Sequence, residues 1–165
     1  MKKVKLVCMA LLAMFCLMSC GGSKSNTNVY SSTVTVYQSD WYWDDTSWRV
    51  DIDYDAIDMS VNSYGAVLVY MNVEGTWRQI PMTFYYSEIV GGQIRNCSSS
   101  LEVSSYVGGV SIFWTEDDFY NGRQIGDRQF KIVVLSSADY RSRSDVDFSN
   151  YESVKEAFQI KEVEK

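Results

Sequence analysis

Residues 48–55 read WRVDIDYD, and apolar and charged side chains alternate through the whole stretch. Because successive side chains of a β-strand point to opposite faces, the four apolar residues share one face and the arginine and the aspartates share the other. This pattern is typical of an antiparallel strand with one face on a core and the other in water. The stretch therefore predicts an all-β fold.

A β-hairpin is predicted directly downstream. Residues 66–73 are apolar and rich in strand-forming types, Glu74-Gly75 suits a two-residue turn, and residues 76–86 return. Pairing about that turn places Val67, Val69, Met71, Ile80, Met82 and Phe84 on one face, and Leu68, Tyr70 and Trp77 on the other. Since Pro81 has no N–H to donate, the returning strand should lie at a sheet edge or contain a bulge.

Weaker strand patterns fill most of the remaining chain. They cover residues 33–37, 93–97, 101–106 and 110–114, and residues 56–64 form a connection or a short helical turn. Residues 130–135 are almost wholly apolar, as expected of a central strand that is covered on both faces. A polar loop is expected over residues 116–127. Together these patterns predict an antiparallel β-sandwich of about seven strands.

The C-terminus changes to a helical period. Ser149-Asn150-Tyr151-Glu152 is similar to a capping box, and Tyr151, Val154 and Phe158 follow at i, i+3 and i+7. The pattern predicts a helix of about ten residues. A helix this short needs tertiary contacts, and we expect it to dock on its own sandwich rather than on a partner.

The N-terminus has the parts of a secretory signal. Lys2, Lys3 and Lys5 precede an apolar run over residues 6–15, which is too short to span a bilayer about 30 Å thick. The run ends at Leu17-Met18-Ser19-Cys20, which resembles the bacterial lipobox. We therefore predict a signal peptide over residues 1–19 and lipidation of Cys20, with acyl chains such as palmitate.

The predicted anchor divides the chain into three parts. Several acyl chains on Cys20 would hold the protein firmly at a membrane. Small polar residues then make residues 20–28 a lipidated flexible tether. The remaining residues, 29–165, have the length of a single folded domain, which comprises the sandwich and its C-terminal helix.

Composition excludes several classes of function. The chain has 15 basic and 21 acidic residues, and three of the lysines leave with the signal peptide, so nucleic-acid binding is not expected. It has no histidine, which rules out Ser-His-Asp and Cys-His catalysis and imidazole zinc sites. Cys97 would be the one unmodified cysteine of the mature chain, and we interpret it as a buried small apolar residue rather than a reactive thiol.

The acidic residues are candidates for a metal or catalytic site. Asp51, Asp53 and Asp55 have the spacing that opens an EF-hand loop, but Ala56 and Asn62 occupy the positions where such a loop needs Gly and Glu. We interpret the aspartates as a solvated strand face and predict no metal and no cofactor. A carboxylate-only glycoside hydrolase stays a minor alternative, because no sequence feature singles out a catalytic pair.

Aromatic residues supply the candidate binding surface. Trp41, Tyr42 and Trp43 are consecutive, so one ring of a strand there points away from the core, while Tyr70 and Trp77 share the second hairpin face. Exposed Trp and Tyr rings suit protein contacts or stacking on sugars. The candidate surface comprises Trp41, Trp43, Tyr70 and Trp77. The alternative, which we favour, is that the sandwich and its helix bury most of these rings.

The chain also resembles a family of small Bacteroidetes lipoproteins of unknown function. The resemblance rests on the lipobox, Ser39-Asp40-Trp41, residues 65–70, Trp77 with Ile80-Pro81, residues 130–134, and the ending around residues 145–158. It implies no catalytic or binding residues. Surface-exported members carry an acidic pair after the lipidated Cys, and this chain has none there. The resemblance thus implies an outer-membrane lipoprotein on the periplasmic face rather than the cell surface.

The functional expectation follows from these exclusions. We predict a non-enzymatic binding or assembly module that Cys20 anchors in the membrane of the cell envelope. Its partner would be an envelope protein or a glycan. Carbohydrate binding through exposed Trp and Tyr is the first alternative, and the carboxylate hydrolase is the second.

Overall fold

The computed structural model of the chain describes residues 29–117 and 125–160. The predicted signal peptide, Cys20 and the tether lie outside the described residues, as do most of the predicted loop over residues 116–127 and the last five residues. Within the described ranges, no helix has the length and apolar character needed to cross a membrane.

The described residues form nine strands and three short α-helices. The strands are β1 (Tyr30–Val36), β2 (Tyr42–Asp44), β3 (Ser47–Asp53), β4 (Ala66–Val73), β5 (Thr76–Gln79), β6 (Met82–Val90), β7 (Gln93–Tyr106), β8 (Gly109–Glu116) and β9 (Arg128–Leu135). The helices are α1 (Met59–Tyr64), α2 (Ser137–Ser142) and α3 (Tyr151–Ala157), and a 3-10 turn covers Gln38–Asp40. Residues 56–64 were predicted to form a connection or a short helical turn, and they contain the short helix α1.

The strands form two antiparallel sheets that pack face to face. The first sheet has the order β1-β9-β4-β5, and the second has the order β2-β3-β8-β7-β6. This arrangement confirms the predicted all-β sandwich with a short C-terminal helix. The observed strands differ from the predicted ones in two respects. The returning arm of the hairpin forms two strands, β5 and β6, and the break predicted at residues 98–100 is absent.

Pro81 marks the point where the hairpin divides. The chain leaves the first sheet at the end of β5 and enters the second sheet as β6. Both β5 and β6 are edge strands, and Pro81, which has no N–H to donate, lies between them and outside both ladders. The predicted faces are nevertheless confirmed, because Ile80, Met82 and Phe84 all pack in the core between the sheets.

The serines at residues 98–100 do not interrupt the sheet. We predicted two weak strands on either side of them, and this was wrong, because β7 runs unbroken for 14 residues. Ser99 and Ser100 pair with Phe84 and Thr83 of β6 on one side and with Glu116 and Thr115 of β8 on the other. The hydroxyl groups of Ser99 and Ser100 find partners on β8 and β6, so these polar residues fit within the strand.

Strand β9 has apolar contacts on both faces, as predicted. Phe130 and Ile132 point into the core between the sheets. Val133 and Leu135 point the other way, into a second apolar cluster beneath α3. All four side chains have an exposed fraction of 0%. A strand between two apolar layers explains why its sequence shows no alternation.

Helix α3 docks on the outer face of the first sheet, which confirms the predicted docking. Tyr151, Val154 and Phe158 are 1%, 0% and 4% exposed, so the predicted stripe is the buried one. The cap differs from the predicted one, because Asn150 rather than Ser149 accepts hydrogen bonds from the backbone N–H groups of Glu152 and Ser153. The helix is therefore shorter than predicted, with seven residues.

Candidate functional site

The two sheets part at one end of the sandwich and leave a cleft of about 800 Å³, called here the end cleft. Its described lining comes from the end of β4 and the following turn, from β6, from β8 and from the start of β9. At this end of the sandwich, β6 and β7 continue past the end of β8. Strand β7 pairs with β8 only from Ser99 to Tyr106, whereas it pairs with β6 from Gln93 onward.

A buried carboxylate lies at the base of the end cleft. Glu116 is 2% exposed. The hydroxyl groups of Tyr86 and Ser99 both donate to its Oε2 at 2.7 Å, and the indole N–H of Trp114 donates to its Oε1 at 3.0 Å. A carboxylate can be buried in this way only when donors replace its water. The three donors come from β6, β7 and β8, so they also fix the position of the acid.

Aromatic rings form one wall of the end cleft. Phe84 stacks on Trp114 with ring centres 6.0 Å apart and an angle of 18° between the planes. The guanidinium carbon of Arg128 lies 5.4 Å from the centre of the Trp114 ring, and Trp41 meets the same ring edge-on. Trp114 is consequently only 9% exposed. The indole supports the wall and offers little open ring face to a ligand.

The charges around the end cleft are unequal. Its described lining carries the carboxyl groups of Glu74, Glu88, Glu116 and Asp127 and a single basic side chain, Arg128. Glu74 and Asp127 are exposed at the rim, whereas Glu88 is half-buried and lies 3.9 Å from the Arg95 guanidinium. A cleft with an excess of one sign favours ligand groups of the opposite sign.

The predicted aromatic surface does not form. Trp41 is 6% exposed in the core between the sheets, and Tyr70 is 0% exposed beneath α3. These two residues therefore cannot present a binding surface, because their rings fill the two apolar clusters. Trp43 and Trp77 are half-buried and belong to different sheets, where Trp43 packs on Trp48 and Trp77 on Tyr151. All five tryptophans are among the described residues, and none is exposed.

The aspartates of β3 lie on the outer face of the second sheet. Asp51 accepts hydrogen bonds from Ser111 at 2.5 Å, from Tyr42 at 2.7 Å and from Arg49 at 2.9 Å. Partial burial raises the pKa of Asp51, but these hydrogen bonds outweigh it and hold the pKa below its ordinary value of 3.8. Asp53 and Asp55 are exposed, as expected of a solvated face, whereas Asp51 is fixed by its neighbours.

The described residues offer no cluster of metal ligands. In residues 29–117 and 125–160, no three Asp, Glu, Cys or His side chains are grouped closely enough to hold a metal ion. Cys97 is a free thiol with 4% of its area exposed, in agreement with its interpretation as a small buried residue. Burial raises the pKa of the Cys97 thiol, and its hydrogen bond to Glu88 raises that pKa further.

The end cleft could not be recognised from the sequence. Glu116 was assigned to the start of a polar loop, and its donors Tyr86 and Ser99 are 30 and 17 residues away in the chain. The only local signal is Trp114-x-Glu116, in which the indole and the carboxyl group point to the same side of β8. That spacing occurs in any strand, so the pattern alone does not indicate a site.

Comparison with known proteins gives no relative for this architecture. The chain matches no family model, and no curated protein and no solved structure shows significant similarity to it. The resemblance to Bacteroidetes lipoproteins therefore stays a prediction. The fold and the site define the class of protein as a two-sheet antiparallel β-sandwich with an acidic, aromatic-walled cleft at one end.

Proposed function

We propose that the protein is a lipid-anchored, non-enzymatic binding module of the cell envelope, and that the end cleft is its ligand site. The observation that carries the proposal is the cleft itself. It combines an apolar wall, a fixed carboxylate and charged rim residues, which is the combination expected of a ligand site.

The position of the end cleft relative to the predicted tether supports this function. Tyr30, the first residue of β1, pairs with Val134, whereas Val36 at the other end of β1 pairs with Arg128 of the cleft. A strand of this length spans about 20 Å. The tether would join the domain at the Tyr30 end, so the cleft would open away from the anchoring membrane.

The two alternatives have less support. A glycan-binding surface of exposed Trp and Tyr finds no open indole ring, because all five tryptophans are buried or half-buried, although tyrosines such as Tyr85 are exposed. Hydrolysis would need a carboxyl group that can exchange a proton with the substrate. Both oxygens of Glu116 instead accept hydrogen bonds from side chains of the domain, which favours a binding role for the cleft.

The binding function is tested with the full-length chain in detergent micelles. The protein is applied to an array of defined glycans and synthetic peptides, and bound ligands are measured again with Glu74→Lys, which reverses a charge at the rim of the cleft. We expect at least one ligand whose affinity falls at least threefold, the loss of roughly 0.7 kcal/mol or more of binding free energy. Glu156→Lys on the exposed side of α3 is the matched control and should change nothing. An array with no ligand that depends on Glu74 would contradict the proposal.

The anchor is tested separately. Cells expressing the wild-type chain, Cys20→Ser and Cys97→Ser are fed an alkyne-labelled fatty acid. We expect label on the wild-type and Cys97→Ser proteins, both in the outer-membrane fraction and protected from protease in intact cells. Cys20→Ser should be unlabelled. Labelling that survives this substitution, or a chain found only in the soluble fraction, would refute the predicted anchor.

A further inference from the structure

We propose that the end cleft and the outer edge of β6, beyond which no described strand continues the sheet, together bind an extended peptide of a partner protein, in which apolar and basic side chains alternate. This inference rests on the proposed binding function and specifies its ligand. Three observations about β6 support it. The strand lies at a sheet edge, one of its faces exposes apolar side chains, and its other face lines the acidic cleft.

Strand β6 is suited to receive another strand. It has nine residues and lies at the end of its sheet, beyond β7. An edge strand directs the backbone N–H and C=O groups of alternate residues away from its sheet, where an added strand can bind them. β6 carries one charged side chain, Glu88, and no proline within its bounds, so little in its sequence opposes such pairing.

The outer face of the β6–β7 hairpin exposes large apolar side chains. Tyr85, Ile89 and Ile94 are 84%, 77% and 78% exposed. Ile89 and Ile94 are cross-strand partners, and Tyr85 lies four residues before Ile89 on the same face of β6. The pair Ser87 and Asn96 lies between Tyr85 and the two isoleucines. Large exposed apolar side chains on one face of a hairpin are a common feature of interaction surfaces.

The opposite face of β6 forms the wall of the end cleft. Phe84, Tyr86 and Glu88 point into it. A peptide paired with β6 would continue this alternation, because side chains of neighbouring strands at the same register share a face. Every second side chain would enter the mouth of the cleft, and the others would lie beside Tyr85 and Ile89.

The acidic rim of the cleft and the apolar outer face of β6 favour different side chains at alternate positions of the peptide. Side chains that enter the mouth meet Glu74 and Asp127 at the rim, which favours Lys or Arg with a long apolar stem and a cationic end. Side chains on the outer face meet Tyr85 and Ile89, which favours apolar types. The expected ligand is thus a strand that alternates basic and apolar residues.

Synthetic octapeptides test this inference on the full-length chain in micelles. Fluorescence anisotropy is measured for a labelled (Lys-Val)4 peptide and for (Glu-Val)4. We expect the basic peptide to bind at least tenfold more tightly. Two further peptides carry N-methyl groups on every lysine or on every valine, which removes the donors of one strand edge without changing the side chains. One of these two should lose about tenfold or more in affinity.

A charge variant of the protein provides the second measurement. Glu74→Lys at the rim should weaken the binding of (Lys-Val)4 at least threefold. Glu156→Lys makes the same charge change on the exposed side of α3 and should leave the affinity unchanged. Equal binding of the basic and acidic peptides, or full binding by both N-methylated peptides, would overturn the proposal.

Other occupants give different results. A second copy on β6 would appear as a doubled protein mass by light scattering that Tyr85→Lys restores to the monomer, and this would also overturn the proposal. If the octapeptides fail to bind while an array ligand still depends on Glu74, the inference is wrong and the binding function stands. If no octapeptide and no array ligand binds, both proposals are wrong.

Discussion

The Nζ atom of Lys131 lies 4.1 Å from the centre of the Tyr151 ring, although Lys131 is only 3% exposed. The same ammonium lies 4.4 Å from the centre of the Trp77 ring. A cation between two aromatic rings replaces part of its hydration with the negative faces of those rings. The lysine of β9 thereby links α3 to strands β9 and β5 of the first sheet, and Tyr151 is the residue through which the helix makes this contact.

Replacement of Tyr151 by alanine should loosen α3 from the sandwich. Tyr151 is 1% exposed and contacts Tyr70, Trp77 and Lys131, so we expect a loss of about 3–5 kcal/mol in the free energy of unfolding. Tyr151→Phe keeps the ring and should cost about 1 kcal/mol. Urea denaturation measures both, with the exposed Tyr64→Ala as control. Equal losses for the two Tyr151 variants would show that the ring contacts contribute little.

Asp51 should make the stability of the domain sensitive to acid. Its pKa is lower in the native chain than the ordinary value of 3.8, so it stabilises the fold above that value. This contribution is lost as the pH falls through the lowered native pKa. Urea midpoints measured from pH 6 to pH 2 should therefore fall less steeply for Asp51→Asn than for the wild type. Asp53→Asn on the same strand should follow the wild type, and identical profiles for all three chains would contradict the assignment.

Cys97 should react slowly while the chain is folded. Burial and the neighbouring Glu88 both raise the pKa of its thiol, so little nucleophilic thiolate is present near neutral pH. In the mature chain we expect alkylation by iodoacetamide at pH 8 to be about tenfold or more slower without denaturant than in concentrated urea. Mass spectrometry of timed samples measures the rate. A native rate equal to the unfolded rate would mean that the thiol is accessible.

The alternation of apolar and polar residues predicted much of the fold, because the face of a strand to which a side chain points depends only on its position in the local sequence. Leu68 and Tyr70 were assigned to one face of β4, and both lie beneath α3. The crossover at Pro81 was not predictable in the same way. Ile80 and Met82 point to the core on either side of it, so the alternation continues while the chain changes sheets. Only hydrogen bonding to distant strands decides which sheet each half joins.

The candidate site was harder to predict from the sequence than the fold, because it is formed by residues that are distant in the chain. The sequence offered Trp41 and Tyr70 as candidate binding residues and favoured their burial without indicating where, because a large ring in a short strand has no local indicator of burial. Their burial is created by Phe130 of β9 and by Tyr151 of α3, about 80 or more residues away. Glu116 showed the converse problem, since an acidic residue at a strand end normally indicates solvent.

Glu116→Gln should measure how strongly the base of the end cleft depends on the carboxylate. A carboxylate accepts at both oxygens, whereas an amide accepts at one and donates at the other. In either orientation the Gln NH₂ group would face at least one of the donors Tyr86, Ser99 and Trp114. We expect a loss of about 2 kcal/mol in the free energy of unfolding by urea denaturation.

The matched control for this variant is Glu102→Gln, which makes the same change at an exposed position of β7. It should change the free energy of unfolding by less than about 0.5 kcal/mol. The indole of Trp114 donates directly to Glu116, so the intrinsic fluorescence of the folded protein should also shift for Glu116→Gln and not for the control. Equal stability of the two variants would mean that the three hydrogen bonds are dispensable, and the carboxylate would then lose its role as the fixed charge of the cleft.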